Sequence, residues 1–424
     1  MTKNKTIMLA LAGLVMSSCA TTPVEEESAS GTNGTSLSSE GKTSIVPPSG
    51  EVITLSKAFS DLASAMEAEK NSGNISLDLQ PIGTLDVELA HNWYVQKNAT
   101  SSEAASSSEG YEKLTSSMDF YLQNSSKISA KIDHLDSTDP KEVDAQLNVS
   151  LTGGIKRKKT TSAEITEFKN NNLSLPAYID NDCAYVDTTD PQIKNLIIFV
   201  LDSIIPVTPG ASSSSNGMED DIDKYIGKKL ALPLESAKES AEQAIGSNIF
   251  NWEQYIEAVN GLSEHENELN PYMSAMSNGE EEYLYINLKG QQIGEFSTLL
   301  DSFEESEEGE TSSSSSETSK KETVYRDDDE IIAKATFSKN ELMSIEATAN
   351  IKSETLDKEV ANFDLVVAII GPRLADGEKL AKYDDFVSIS GGAAITFGKE
   401  KPTMLTDYSE YELVDTKSSS SLSE

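Results

Sequence analysis

Cysteine is almost missing from this chain: of 424 residues only Cys19 and Cys183 carry a thiol. Two cysteines cannot build a multi-disulfide framework, and if amino-terminal processing consumes Cys19, Cys183 has no internal partner. Histidine is equally scarce. His91, His134 and His265 lie far apart, without HExxH pairing or zinc-cluster spacing, and each reads as an ordinary surface or edge residue. There is no GxSxG elbow, no P-loop and no dinucleotide-binding glycine pattern, so neither a catalytic residue nor a cofactor is assigned and the chain does not read as an enzyme. No apolar run reaches the roughly twenty residues of a membrane-spanning helix. Basic residues are outnumbered, with 34 Lys and Arg against 71 Asp and Glu, and the resulting charge of −37 repels phosphate backbones. Nucleic acid is therefore excluded as a partner.

What is present begins at the amino terminus. Lys3 and Lys5 precede an apolar run from Ile7 to Met16, and Ser17-Ser18-Cys19 follows, the layout of an export signal. Val15-Met16-Ser17-Ser18-Cys19 resembles the lipobox of bacterial lipoproteins, with Met16 where leucine is usual. The resemblance implies a signal peptide over 1–18, a Cys19 that carries the lipid, and attachment to the outer face of the cell membrane. An ordinary secretory signal ending in Ser18-Cys19-Ala20 is the alternative. Loss of 1–18 removes Lys3 and Lys5 and no acid, taking the charge to −39, which favours cations and basic partners.

Residues 19–50 are rich in Ser, Thr, Gly and Glu and predict a disordered tether spanning roughly 30 Å. The folded domain is expected over 51–415. Val52, Leu55, Phe59, Leu62 and Met66 have the spacing of an amphipathic helix that stops at Asn71-Ser72-Gly73-Asn74. Alternating strands follow at 75–79, 85–89, 111–123, 126–135 and 143–151, joined by short polar turns that favour antiparallel neighbours. Ala177 to Asp187 reads as a hairpin turning at Asp180-Asn181-Asp182. Cys183 lies within it, read as a small buried hydrophobe rather than a reactive thiol, since no basic neighbour in sequence lowers its pKa.

This hairpin, followed by Pro191 and an apolar helix, is similar in arrangement to the LolA and LppX-like superfamily of lipoproteins. The resemblance implies an α+β fold in which a large curved antiparallel β-sheet, a half-barrel, holds helices on its concave face. The helix after Pro191 is apolar nearly all round, through Ile197, Ile198, Val200, Leu201 and Ile204. Such a helix is buried on more than one side, as a central core element or as the lining of a lipid-sized cavity, and these five residues are the candidate ligand-binding set.

The remainder divides in the same way. Inserts near 207–218 and 304–322 and the tail 416–424 are low-complexity and expected to be disordered. Helical signals occupy 220–262 and 290–303. Strands are expected at 282–288, 331–337, 343–351 and Phe363–Ile370, with edge pieces at 384–390 and 395–397. Glu219-Asp220-Asp221 and Asp327-Asp328-Asp329-Glu330 lack the alternating ligands and central glycine of a calcium loop and read as solvated charge runs, so no metal is assigned. Two functions fit: a lipid-anchored, non-catalytic binding or carrier module for a lipid or other apolar ligand, or a surface structural or interaction protein whose acidic face binds cations or partners.

Overall fold

The structure is a computed structural model describing residues 45–96, 111–134, 137, 142–158, 165–180, 182–204, 223–234, 252–305, 325–358 and 379–414. The signal segment, Cys19, the insert near 207–218, the acidic run Glu219-Asp220-Asp221, residues 235–251 of the expected helical block, residues 306–322 of the second insert, Phe363–Ile370 and the tail from 415 lie outside these residues, while 304 and 305, expected in that insert, end a helix.

In chain order the elements are β1 (Glu51–Ile53), α1 (Leu55–Asn71), β2 (Asn74–Gln96), β3 (Tyr111–Leu122), β4 (Lys127–Asp133), β5 (Asp144–Lys158), β6 (Ile165–Asp180), β7 (Cys183–Asp187), α2 (Pro191–Ile204) and β8 (Lys229–Pro233). Then come α3 (Trp252–Leu262), a single 3-10 turn (Ser263–His265), α4 (Glu266–Leu269), β9 (Met273–Ser277), β10 (Glu282–Lys289), α5 (Gln291–Glu305), β11 (Glu330–Ser338), β12 (Glu341–Lys358), β13 (Lys379–Gly398) and β14 (Glu412–Leu413). All fourteen described strands join one sheet in the order β1-β9-β10-β11-β12-β13-β2-β3-β5-β6-β7-β8-β14, with β4 between β2 and β5. Every pairing among them is antiparallel except β14 with β8. The chain is thus sheet-rich with few helices.

Helix α1 starts where a side chain can satisfy its first amides. The Thr54 hydroxyl accepts the N–H of Lys57 at 3.2 Å, and Leu55, Phe59 and Leu62 turn one buried stripe toward the sheet. Val52, expected on that stripe, lies instead in β1, its side chain turned to solvent. Upstream, Ile45 is buried, so packed chain already exists within the segment expected to be a tether.

Three other expectations are corrected. The runs 75–79 and 85–89 are parts of one 23-residue strand, β2. The edge pieces 384–390 and 395–397 belong to a single 20-residue strand, β13, at the middle of the sheet between β12 and β2. Asp384-Asp385 and Gly391-Gly392 depress its intrinsic strand preference, and ladders on both sides override that weakness. Within the expected helical block, Lys229–Pro233 forms β8, because β7 offers it an open ladder.

Register shifts line up across the sheet. Ser390 pairs with Asp86 and Gly392 with Ile82, so β2 bulges beside Gly391. Next to it, β3 and β4 run along consecutive lengths of β2, interrupted by the turn Gln123–Ser126, where the Ser126 hydroxyl donates to the Thr152 carbonyl at 2.9 Å. One strand further, β5 and β6 slip between Leu151 and Gly153, opposite Asn172 with its left-handed φ of 66°. Glycine is required along this line. A Cβ on Gly391, whose φ is +112°, would stand 2.2 Å from the Thr84 carbonyl oxygen, and one on Gly153 would stand 2.0 Å from that of Tyr121. Aligned bulges bend strands and sharpen their twist.

Candidate apolar binding face

Alternation places one apolar face across the sheet. A single ladder row runs Leu284, Ala335, Ile345, Ile395, Leu79, Ile128, Val149, Leu175 without a polar interruption. Over β9 to β13 most of this face is buried, with Ile345 and Ile395 half-buried. Leu55 and Phe59 of α1, Val259 of α3, and Ile293, Phe296 and Leu300 of α5 share one core with Leu284, Leu288, Phe337, Ala347 and Ile351.

Past β2 the cover thins. Ile128, Val149, Leu175 and Val186 are only half-buried, and Leu147 and Phe120 keep 36% and 37% of their surface in solvent. Helix α2 borders this open half. Asp190 positions its first turn by accepting the N–H of Gln192 at 2.9 Å and that of Ser174 on β6 at 2.7 Å. Burial works to raise the Asp190 pKa, but these donors outweigh it and hold the carboxyl below the usual range. On α2, Ile193 is buried and the Phe199 ring stands 6.0 Å from that of Phe168, with the Arg157 guanidinium 5.4 Å from the Phe199 centroid.

Of the five expected ligand-binding residues, Ile197 and Ile198 are half-buried on α2. Val200, Leu201 and Ile204 belong to the same helix, with side chains outside the description. The alternating pattern made Leu147, Phe120 and Val149 ordinary core-facing strand positions, and Leu175 fell in no expected element. A usable signal was the disproportion between the many alternating strands and the few amphipathic helices available to cover them.

The other candidates resolve into structural roles. Asp329 is buried and accepts the backbone N–H groups of Arg326 and Lys352 at 2.9 and 2.7 Å, closing a turn. Glu330 pairs with Lys289 at 3.1 Å, while Asp327 and Asp328 face solvent. Among the described residues no group of three or more His, Cys, Asp and Glu is arranged to hold a metal ion. His91, expected at the surface, is buried on the apolar face with its ring 5.3 Å from that of Trp93, because the odd-numbered positions of β2 all point inward. His265 stacks on Phe303 at 3.9 Å, and His134 is exposed. Cys183 is a free, half-buried thiol in β7.

The opposite face is polar. Glu88 of β2 and Asp119 of β3 are directly paired in register, with Asp86 two residues along β2. Burial raises the pKa of all three; the Asp119 charge adds to the effect at Glu88, and the Asp86 charge adds to it at Asp119. Asp119 Oδ1 is buried and finds no hydrogen-bond donor among the described residues.

No protein-family model, curated protein or solved structure matches this chain. Among the described residues no helix is long and apolar enough to cross a membrane.

Proposed function

We propose that this protein is a lipid-anchored, extracytoplasmic, non-catalytic carrier or binding module for a lipid or other apolar ligand. The observation that carries the reading is the open half of the apolar face, where the sheet row from Leu79 to Leu175 runs beyond its helical cover and Leu147 and Phe120 meet solvent. Exposed contiguous apolar surface is costly in water and marks interaction sites. In this reading the aligned bulges curve the sheet into a half-barrel with its helices on the concave side, and the ligand lies against β4, β5 and β6 beside Ile197 and Ile198 of α2. Cys19 carries the lipid that keeps the module at the outer face of the membrane, since two acyl chains anchor stably where one is marginal.

Native mass spectrometry with solvent extraction of the protein purified from membranes tests both parts. The expected result is a mature chain beginning at a lipidated Cys19 with a co-purified apolar molecule, and loss of that molecule in Leu147→Asp while the fold is kept. Cys19→Ser is expected to leave the precursor uncut or the product unattached. A correctly cut product still on the membrane in Cys19→Ser sinks the anchor. Delipidated protein that binds basic partners in a salt-sensitive manner and yields no apolar molecule favours the acidic interaction protein instead.

A further inference from the structure

Beyond β13 the chain crosses the polar face as a strap, residues 399–414, and its two parts are held differently. The near part is clamped to one buried carboxylate and to partly exposed groups around it. Lys399 pairs with Glu69, whose carboxylate is 1% exposed and also accepts the Leu342 N–H at 3.2 Å. Lys401 reaches Asp133 at 2.9 Å, Glu400 reaches Lys131 at 2.6 Å, and the Thr403 N–H donates to Gln146 at 3.0 Å.

The far part rests on two exposed ion pairs and on Tyr408, whose hydroxyl is buried. Glu410 pairs with Lys229 at 2.6 Å and Glu412 with Lys228 at 3.1 Å, and these carboxylates are 74% and 66% exposed. The Tyr408 ring stacks on Tyr185 at 4.0 Å, with Tyr411 edge-on at 5.3 Å. Backbone pairing is limited to the two residues of β14 and the Val414 N–H donating to the Ala231 carbonyl at 2.9 Å. This is the sheet's single parallel pairing among the described residues, and Leu413 points to solvent. Exposed ion pairs are screened as the Debye length falls from about 10 Å at 0.1 M salt to about 3 Å at 1 M, whereas a pair with a buried carboxylate is screened far less.

We infer that residues 404–414 form an ionic-strength-sensitive latch over the outer edge of β8, hinged on the clamp at 399–403, which stays closed when the latch opens. Opening uncovers the backbone groups of β8 that β14 otherwise covers, an edge able to accept an extended strand. The latch is independent of the apolar face and of any ligand there.

The test is chymotryptic cleavage after Tyr408 and Tyr411 in the full mature chain, normalised to a free peptide of residues 399–414 in the same buffer to remove the effect of salt on the protease. Between about 0.05 and 1 M NaCl, cleavage is expected to accelerate roughly five- to tenfold, the loss of two exposed pairs. Tryptic cleavage after Lys399, normalised in the same way, is expected to stay unchanged. The double variant Glu410→Gln with Glu412→Gln is expected to be cut rapidly already at low salt and to lose the salt response. Salt-independent cleavage after Tyr408, equal acceleration at Lys399, or a double variant that behaves as the parent would each overturn the latch.

Discussion

The two halves of the sheet carry the same sequence pattern and meet different fates. In β10, Leu284 and Leu288 alternate with Tyr283, Tyr285 and Asn287, and both leucines are buried beneath α1 and α5. In β4, Ile128, Ala130 and Ile132 alternate equally well, yet every residue of that strand is only half-buried. The difference lies in the helices. Those flanking β9 and β10 in sequence fold back over the covered half, while α2 packs beside β6 in the open half. Alternation therefore identifies which face is apolar and leaves its cover undetermined.

That contrast can be broken by mutation. Phe337→Ala, in the covered half, removes a fully buried ring and is expected to cost about 3–5 kcal/mol, read as a lower urea midpoint at unchanged slope. Leu147→Ala, in the open half, is expected to cost about 1 kcal/mol or less, because its side chain is already wet. Equal losses would mean that the open half is in fact a sealed core. Between these two lies Gly391→Ala at the bulge line, where a left-handed backbone and the Thr84 carbonyl both oppose a Cβ. It is expected to cost about 1–3 kcal/mol.

The smallest effect concerns the polar side of the β2–β3 junction between the halves. Folding raises the pKa of Asp119 above its ordinary 3.8, so the folded chain holds that proton more tightly than the unfolded chain does. The stability linked to it is present at low pH and is lost as pH rises through the raised pKa. Asp119→Asn is therefore expected to give a slightly higher urea midpoint than the parent at neutral pH, with the gap closing as the pH falls toward 4. A gap that stays constant over that range would remove Asp119 from the account.

Much of the fold was legible because it depends on local chemistry. The Leu55-Phe59-Leu62 spacing defines α1, and Ser338 to Glu341 turns β11 into β12 where polar residues interrupt two alternating runs. The central place of β13 was not legible. Its paired aspartates and glycines look like a weak edge, and only the ladders from β12 and β2, with Gly391 fitting against Thr84, make the middle of the sheet its stable position. The candidate site was legible in part. Helix α2 stood out because it is apolar nearly all round, whereas Leu147 and Phe120 are indistinguishable in sequence from residues that end in a core.

By itself the sequence determined the acidic charge, the scarcity of cysteine and the side of each strand that is apolar, since all of these follow from composition or from a period of two. Tertiary structure alone decided that one sheet takes up every described strand, that β13 lies at its centre, and that the apolar face is buried in one half and open in the other. The physical reason is that an apolar face gains by leaving water whatever covers it, so its pattern is the same under a helix, against a ligand or bare. Which of these occurs depends on how far the helices, held by short connections to their own strands, can reach.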